Sequence, residues 1–433
     1  VSRLDRLSPL DRRIVGLALP ALGALAVEPL YVLVDTAIVG RIGTRELAGV
    51  AVAAAVLSLV IAGSNFLTYG TTERIARRLG AGDRIEAADV GVQSIWLALS
   101  AGVPIGVVVA LVARPVCRLF GADGDVLDHA DTYLTISALG IPFVLFTLAA
   151  QGVHRGASEY RPPLWILLSS NVANLLIELV LVFALDLGVA GSAWSTVIAQ
   201  IGAAAAFAIR VRRHLAMATS RRPSRAGITP LLTAGRHLLL RVFGILGVFV
   251  GATNVAARID DATLAAHQIV ANVFVFSALV LDALAIPAQT LVAEALGGHG
   301  TEEARRLTER VVRLSIYGGI VLMVLLALVA PLVARGFTPD GAVVDRATIG
   351  LWCLAALLVP GAIAFAYDGV LIGLADYRFI GRASGALLLM MIPVALVLLA
   401  WPRSGIAGIW LATGGWMLAR AVVTSRRAAV LLH

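Results

Sequence analysis

The sequence predicts an all-α membrane protein of about twelve transmembrane helices in two parallel six-helix repeats. Three observations carry that expectation. The 433 residues are 59% hydrophobic and only 14% charged, against roughly 25% charged in a soluble domain, and the mean hydropathy is +0.90. Apolar runs of membrane-spanning length alternate with short arginine-bearing loops. The second half repeats the first at a fixed offset of 217 residues.

A water-soluble globule of this length cannot hide so much apolar surface. A bilayer can accept it, because a helix satisfies its own backbone polar groups. In chain order the runs fall at 14–38, 46–71, 90–113, 130–152, 163–185 and 190–211, then at 231–256, 263–291, 311–334, 347–371, 380–401 and 404–424. The first contains Pro20 and the pair Glu28-Pro29. These prolines remove backbone donors and predispose the span to bend. Glu28 and Asp35 also argue against a cleaved signal peptide, whose apolar core is uncharged. The fifth and sixth runs leave room only for a short external turn. The stretch 212–229 is rich in Arg and includes Ser220, Pro223, Ser224 and Gly227. It reads as a solvated linker between an N-lobe (1–211) and a C-lobe (230–433).

The formal charge is +8, and every basic side chain is Arg. The arginines cluster between apolar runs rather than along one face, which excludes a phosphate-tracking groove for nucleic acid. Rich loops (Arg3, Arg6, Arg12, Arg13; Arg74, Arg77, Arg78, Arg84; Arg210 to Arg225; Arg305, Arg306, Arg310; Arg426, Arg427) alternate with poorer ones. The positive-inside rule therefore expects both termini and the linker in the cytoplasm of a multi-pass bacterial inner-membrane protein. Cys117 and Cys353 have no metal-ligand or disulfide spacing. The chain lacks HExxH, Walker A and nucleophile-elbow patterns, so neither an ATP-driven pump nor an intramembrane hydrolase is supported. No enzymatic activity and no cofactor are expected.

The repeat rests on residues that do not match cheaply in apolar sequence. Arg41-Ile42 recurs as Arg258-Ile259, Gly152 as Gly369, Gly156 as Gly373, Tyr160-Arg161 as Tyr377-Arg378, and Gly188 and Gly191 as Gly405 and Gly408. Each copy has an even number of spans, so the copies are parallel. Transporters with parallel repeats handle substrate at or near the repeat interface.

Ionisable groups at mid-span cost roughly 2.5–3.5 kcal/mol each and mark functional positions. Asp35 lies in the first span, Glu178 in the fifth, Asp282 in the eighth and Asp368 in the tenth, with Glu28 and Arg241 also inside spans. Arg241 and Asp282 are candidates to neutralise one another. Glu28, Tyr31 and Asp35 share one helix face, and Asn171, Asn174 and Glu178 share another at i, i+3 and i+7. A first-span carboxylate meeting an amide and a carboxylate from the fifth span makes a hard, oxygen-rich site. It suits Na⁺, or a proton shared between two acids. His267 reads as a packed polar residue.

The same residues carry a family resemblance. Val34-Asp-Thr-Ala-Ile-Val-Gly40, Arg78-Leu-Gly-Ala-Gly-Asp83, Asn171-Val-Ala-Asn174, Ala265-Ala-His-Gln-Ile269 and Ala288-Gln-Thr-Leu-Val292 resemble the multidrug and toxic compound extrusion (MATE) family, and within it the DinF branch. The resemblance implies a V-shaped pair of six-helix lobes and a monomer. It also implies an N-lobe cation or proton site at Asp35, Asn174, Glu178 and Thr196. Pro20 matches a first-span proline linked to bending, and Tyr133 a cavity-lining aromatic of the fourth span. The fifth-span acid is usually Asp and here is Glu178. With Glu28, Tyr31, Asn171 and Asp368, Pro20 and Tyr133 form the expected substrate cavity.

The expected function is export of amphipathic small molecules, organic cations above all, by H⁺ or Na⁺ antiport and alternating access. The other readings are a lipid-linked precursor flippase of the same superfamily, or a membrane scaffold that transports nothing. Flippases of that kind have a more cationic cavity, whereas the embedded charges here are mostly acidic.

Overall fold

A computed structural model describes residues 8–432; Arg3 and Arg6 of the first basic cluster lie outside the described residues. The described residues are mostly helical, and none of them forms a strand. The helices are α1 (Pro9–Val39), α2 (Thr44–Ser64), α3 (Phe66–Gly80), α4 (Arg84–Leu111), α5 (Ala113–Leu119), α6 (Gly124–Ala138), α7 (Ile141–Gly156), α8 (Arg161–Leu179) and α9 (Gly188–Val211). They continue as α10 (Arg225–Ile259), α11 (Asp261–Gly298), α12 (Gly300–Phe337), α13 (Gly341–Gly373), α14 (Tyr377–Ala400) and α15 (Gly405–Leu432).

Among the described residues, eleven spans, counting α2–α3 and α8 with its following turn as one each, are long and apolar enough to cross a bilayer. The pair α6–α7 passes the same test only when taken together, bent by 51° between Ala138 and Ile141. The sequence shows one apolar run there, 130–152. The bend falls at Leu139-Gly140, where the backbone tightens into i→i−3 hydrogen bonds to Ile136 and Ser137. Helix starts are capped by short acids: Asp83 for α4, Asp260 for α11 and Asp340 for α13 each accept backbone N–H bonds from the first turn. Large apolar side chains such as Leu111, Leu328, Leu332 and Leu389 are exposed on the outside, as expected where lipid is the solvent.

The chain divides into two compact units. One is Gly23–Gly235; the other takes the chain up to Leu22 and from Arg236 onward. Within the first, α3 and α4 pack on α7, α2 on α6, and α8 on α9. Within the second, α13 is the central helix, packed by α11, α12 and α15.

The repeat seen in the sequence is also a repeat of backbone detail. A Cβ on Gly152 would meet Thr68 O at 2.9 Å, and on Gly156 Thr72 O at 3.0 Å. Shifted by 217, Gly369 would meet Ala285 O at 2.2 Å and Gly373 Gln289 O at 2.6 Å. Glycine therefore lets α7 touch α3, and α13 touch α11, through their backbones. Both central helices end in the same Schellman turn. Ser158 (φ 59) and Ala375 (φ 60) take the left-handed conformation. Glu159 N–H then donates to His154 O, and Asp376 N–H to Leu371 O.

The stretch 212–229 is mostly exposed, and hydrogen bonds strap its middle to α4. Thr219 N–H and Oγ1 donate to Asp89 at 2.8 and 2.7 Å, Trp96 Nε1 donates to Arg221 O at 2.7 Å, and Gln93 bonds the backbones of Arg222 and Ser224. Helix α10 then begins at Arg225.

Candidate functional site

The acids of α1 and α8 meet inside the Gly23–Gly235 unit. Asp35 is 7% exposed, Asn174 3% and Glu178 0%. Asp35 lies one turn beyond Tyr31 on α1, and the Tyr31 hydroxyl donates to Asp35 Oδ1 at 3.0 Å. That hydroxyl has one proton, so its remaining contact is as acceptor, and Asn174 Nδ2 donates to it at 2.8 Å. Thr196 Oγ1 stands 3.4 Å from the same oxygen.

The Asp35 and Glu178 carboxyl groups lie within hydrogen-bonding reach of each other, and Ser192 Oγ donates to Asp35 Oδ1 at 3.4 Å. The hydroxyl of Tyr133 completes the wall beside Thr196 and Ser192. Three acceptor oxygens are buried here without a donor: Asn174 Oδ1 and both oxygens of Glu178. Buried carboxylates facing one another repel, and the orphaned acceptors cost free energy, until a cation or a proton sits among them.

Local backbone positions these groups. Asn174 and Glu178 are i, i+4 neighbours near the end of α8, which passes into a π-helical turn at Val180–Ala184. Such turns shift the register of side chains and recur at functional sites. Gly188 (φ 51) then starts α9 and sends Ser192 and Thr196 back along α8.

The structure thus brings together six expected residues: Asp35, Asn174, Glu178, Thr196, Tyr31 and Tyr133. Asn171 and Pro20 are half-buried and stay outside this hydrogen-bonded set, and Glu28 is exposed. Ser192 belongs to the site and was not anticipated; a serine in an Ala/Gly-rich span carries no sequence signal beyond packing. His267 is a packed polar residue, 1% exposed, with Nε2 3.1 Å from Thr253 Oγ1.

Asp368 lies in the other unit, in a separate network. Arg241 pairs with it at 2.8 Å, and the buried Arg420 pairs with the same oxygen, Oδ2. Arg241, a candidate partner of Asp282 in the sequence, is ion-paired with Asp368. Arg420 was overlooked because its span passes on mean hydropathy. Its guanidinium lies over Phe365 and Trp416, each 5.7 Å from the ring centroid, which is how a buried arginine retains contacts.

The repeat gives a direct control for the first site. Shifted by 217, Tyr31, Asp35, Asn174, Glu178, Ser192 and Thr196 become Val248, Ala252, Met391, Ala395, Ile409 and Thr413. These line an apolar cavity of about 90 Å³ in the second unit. One fold position holds two carboxyls in one copy and, apart from Thr413, hydrocarbon in the other.

A duplicated bundle of membrane-spanning helices with buried carboxyls among them is the architecture of the polytopic membrane transporters. The chain belongs to the MatE family, whose model matches residues 20–180 and 239–397. It is 31% identical over 427 residues to the chloroplastic protein DETOXIFICATION 44 of Arabidopsis thaliana, covering 96% of this chain and 81% of that protein. It is 26% identical over 408 residues to DNA damage-inducible protein F of Escherichia coli, covering 93% and 88%, in line with the DinF resemblance. A MATE transporter crystallised in a bent conformation superposes with a TM-score of 0.90 at 21% identity, over 98% of this chain and 96% of that one. These likenesses establish a multi-pass membrane protein of a transporter family, with the family's two-lobe fold.

Proposed function

We propose that this chain is a secondary exporter of amphipathic small molecules, organic cations above all, driven by proton antiport through Asp35 and Glu178 with alternating access. The observation that carries the reading is the pair of donorless buried oxygens of Glu178 beside the Asp35 carboxyl. One proton placed between the two carboxyls relieves both their repulsion and the missing donor. Losing it leaves a buried charge that the helices must rearrange to accommodate.

In the proposed cycle, the deprotonated site coexists with bound substrate. Protonation from outside repacks α1 against α8 and α9, and substrate leaves outward. The energetics suffice. One charge crossing 100 mV yields about 2.3 kcal/mol, and a tenfold proton gradient adds about 1.4 kcal/mol. The alternation of arginine-rich loops supports cytoplasmic termini in a bacterial inner membrane. A monomer is sufficient, because every group of the site comes from one chain.

Na⁺ is the second reading. Asn174 Oδ1 favours it, because a proton between the acids leaves that oxygen without a partner, whereas a hard cation takes oxygens from all three residues.

Proteoliposomes loaded with a fluorescent organic cation decide between them. Efflux driven by an imposed pH gradient without Na⁺ supports the first reading, and efflux driven only by a Na⁺ gradient supports the second. No response to either gradient overturns cation coupling.

A further inference from the structure

We propose that His154, Glu159 and His214 form a binding site for a divalent transition metal of the zinc class, clipping the end of α7 to the turn after α9. His154 lies on the last turn of α7, is fully buried, and has Nδ1 3.1 Å from Glu159 Oε2. His214 lies in the turn that follows α9, with Nε2 3.1 Å from the same oxygen. The three donor atoms lie within 4.8 Å of one another. Ligands at 2.0–2.2 Å from a tetrahedral zinc ion are spaced roughly 3.3 Å apart, so small shifts convert this triangle into three corners of a coordination tetrahedron. The outer side of Glu159, which is 31% exposed, leaves the fourth corner open to water.

Two imidazoles and one carboxylate match the ligand types zinc takes. The arrangement is also held in place. The Schellman turn at Ser158 folds Glu159 back over His154, the His214 N–H donates to Val211 O at 2.9 Å, and the two imidazoles meet edge-on with centroids 5.0 Å apart. His154 Nε2 is buried without a partner, so Nδ1 is the nitrogen of that ring with a group to face.

The bland alternative is a polar cap on the end of α7. The second copy of the repeat weighs against it. There the same left-handed turn and the same i→i−5 bond are built with Leu371 at the position of His154 and Leu431 at that of His214. The Glu159 equivalent, Asp376, is satisfied by Arg427 at 2.6 Å. An acid with one arginine is therefore enough to finish the helix, and the first copy adds two imidazoles the fold does not require. Arg213 also grips Glu159 and is half exposed. It neutralises the acid when no metal is bound and must swing away to admit one, so it opposes metal binding.

The test uses the full-length protein in detergent, with any affinity tag removed and metals stripped by chelation. Co²⁺ serves as the spectroscopic probe, and Zn²⁺ is titrated against a chromophoric chelator. The wild type should bind about one equivalent, show the visible bands of tetrahedral Co²⁺, and melt at a higher temperature with Zn²⁺. His154→Leu and His214→Leu should each weaken binding at least tenfold, and Arg213→Ala should tighten it. His214 lies in the turn after α9, so His214→Leu keeps the test informative if the buried replacement misfolds. A wild type without tetrahedral Co²⁺ bands, or bands unchanged in both leucine variants, overturns the proposal.

Discussion

The hydroxyl of Tyr31 stands between Asn174 and Asp35, accepting from the amide at 2.8 Å and donating to the carboxylate at 3.0 Å. It therefore fixes which way Asn174 faces. Nδ2 is committed to Tyr31, so Oδ1 is turned toward no donor. Replacing Tyr31 by Phe removes the link without changing the ring. A hydrogen bond to a charged group contributes about 1.5–3 kcal/mol, so gradient-driven efflux in proteoliposomes should fall roughly ten- to hundredfold while the protein still folds. Undiminished efflux would show that the tyrosine merely fills space.

The backbone contact of α13 with α11 leaves no room for a methyl group. Gly369→Ala would place Cβ 2.2 Å from Ala285 O, and overpacking of this kind costs about 1–3 kcal/mol. Gly385→Ala meets only Leu240, at 3.8 Å, and should be near neutral. Thermal unfolding in detergent should separate the two variants; equal melting temperatures would contradict the packing reading.

Asp368 balances Arg420 in the interior of the second unit. Asp368→Asn leaves a buried guanidinium short of its counter-ion, and breaking such a pair costs about 3–5 kcal/mol. Adding Arg420→Met should restore part of the loss. If the double variant is no more stable than the single one, the two residues are not coupled in this way.

Asp260 lies outside the spans and caps α11, accepting from Thr263 N–H at 2.9 Å and Oγ1 at 3.1 Å while pairing with Arg346. Burial alone would push its carboxyl up; the Thr263 bonds and the Arg346 charge outweigh that and hold it below the ordinary range. A carboxyl lowered on folding stabilises the folded state above its unfolded pKa, near 3.9, and loses that contribution as pH falls through the folded value. Asp260→Ala should cost about 1 kcal/mol at neutral pH. Its deficit against wild type should shrink on acidification below about pH 4. A deficit that persists unchanged in acid would contradict the capping role.

Much of this was legible beforehand because it depends on spacing. Asp35 with Tyr31, and Asn174 with Glu178, follow from helical periodicity, and the duplication follows from glycines whose backbone contacts recur at the same offset. Other features depend on what crosses between helices. Ser192 looks like any small residue until Asp35 is placed beside it. The α6–α7 bend hides inside one apolar run because hydropathy does not register a break at Gly140. The pairing of Arg241 with Asp368 joins residues 127 positions apart, which no local spacing signals. His154, Glu159 and His214 are joined only by a left-handed turn at Ser158 and a chain reversal after α9.

The central claim is that one cation exchanges between Asp35 and Glu178 as substrate binds. Its most direct measurement is proton release in weakly buffered detergent solution when a fluorescent organic cation is added to the purified protein. The account predicts release on the order of one proton per substrate bound by the wild type, and none from Asp35→Asn folded to the same extent. Equal release from wild type and Asp35→Asn would contradict it.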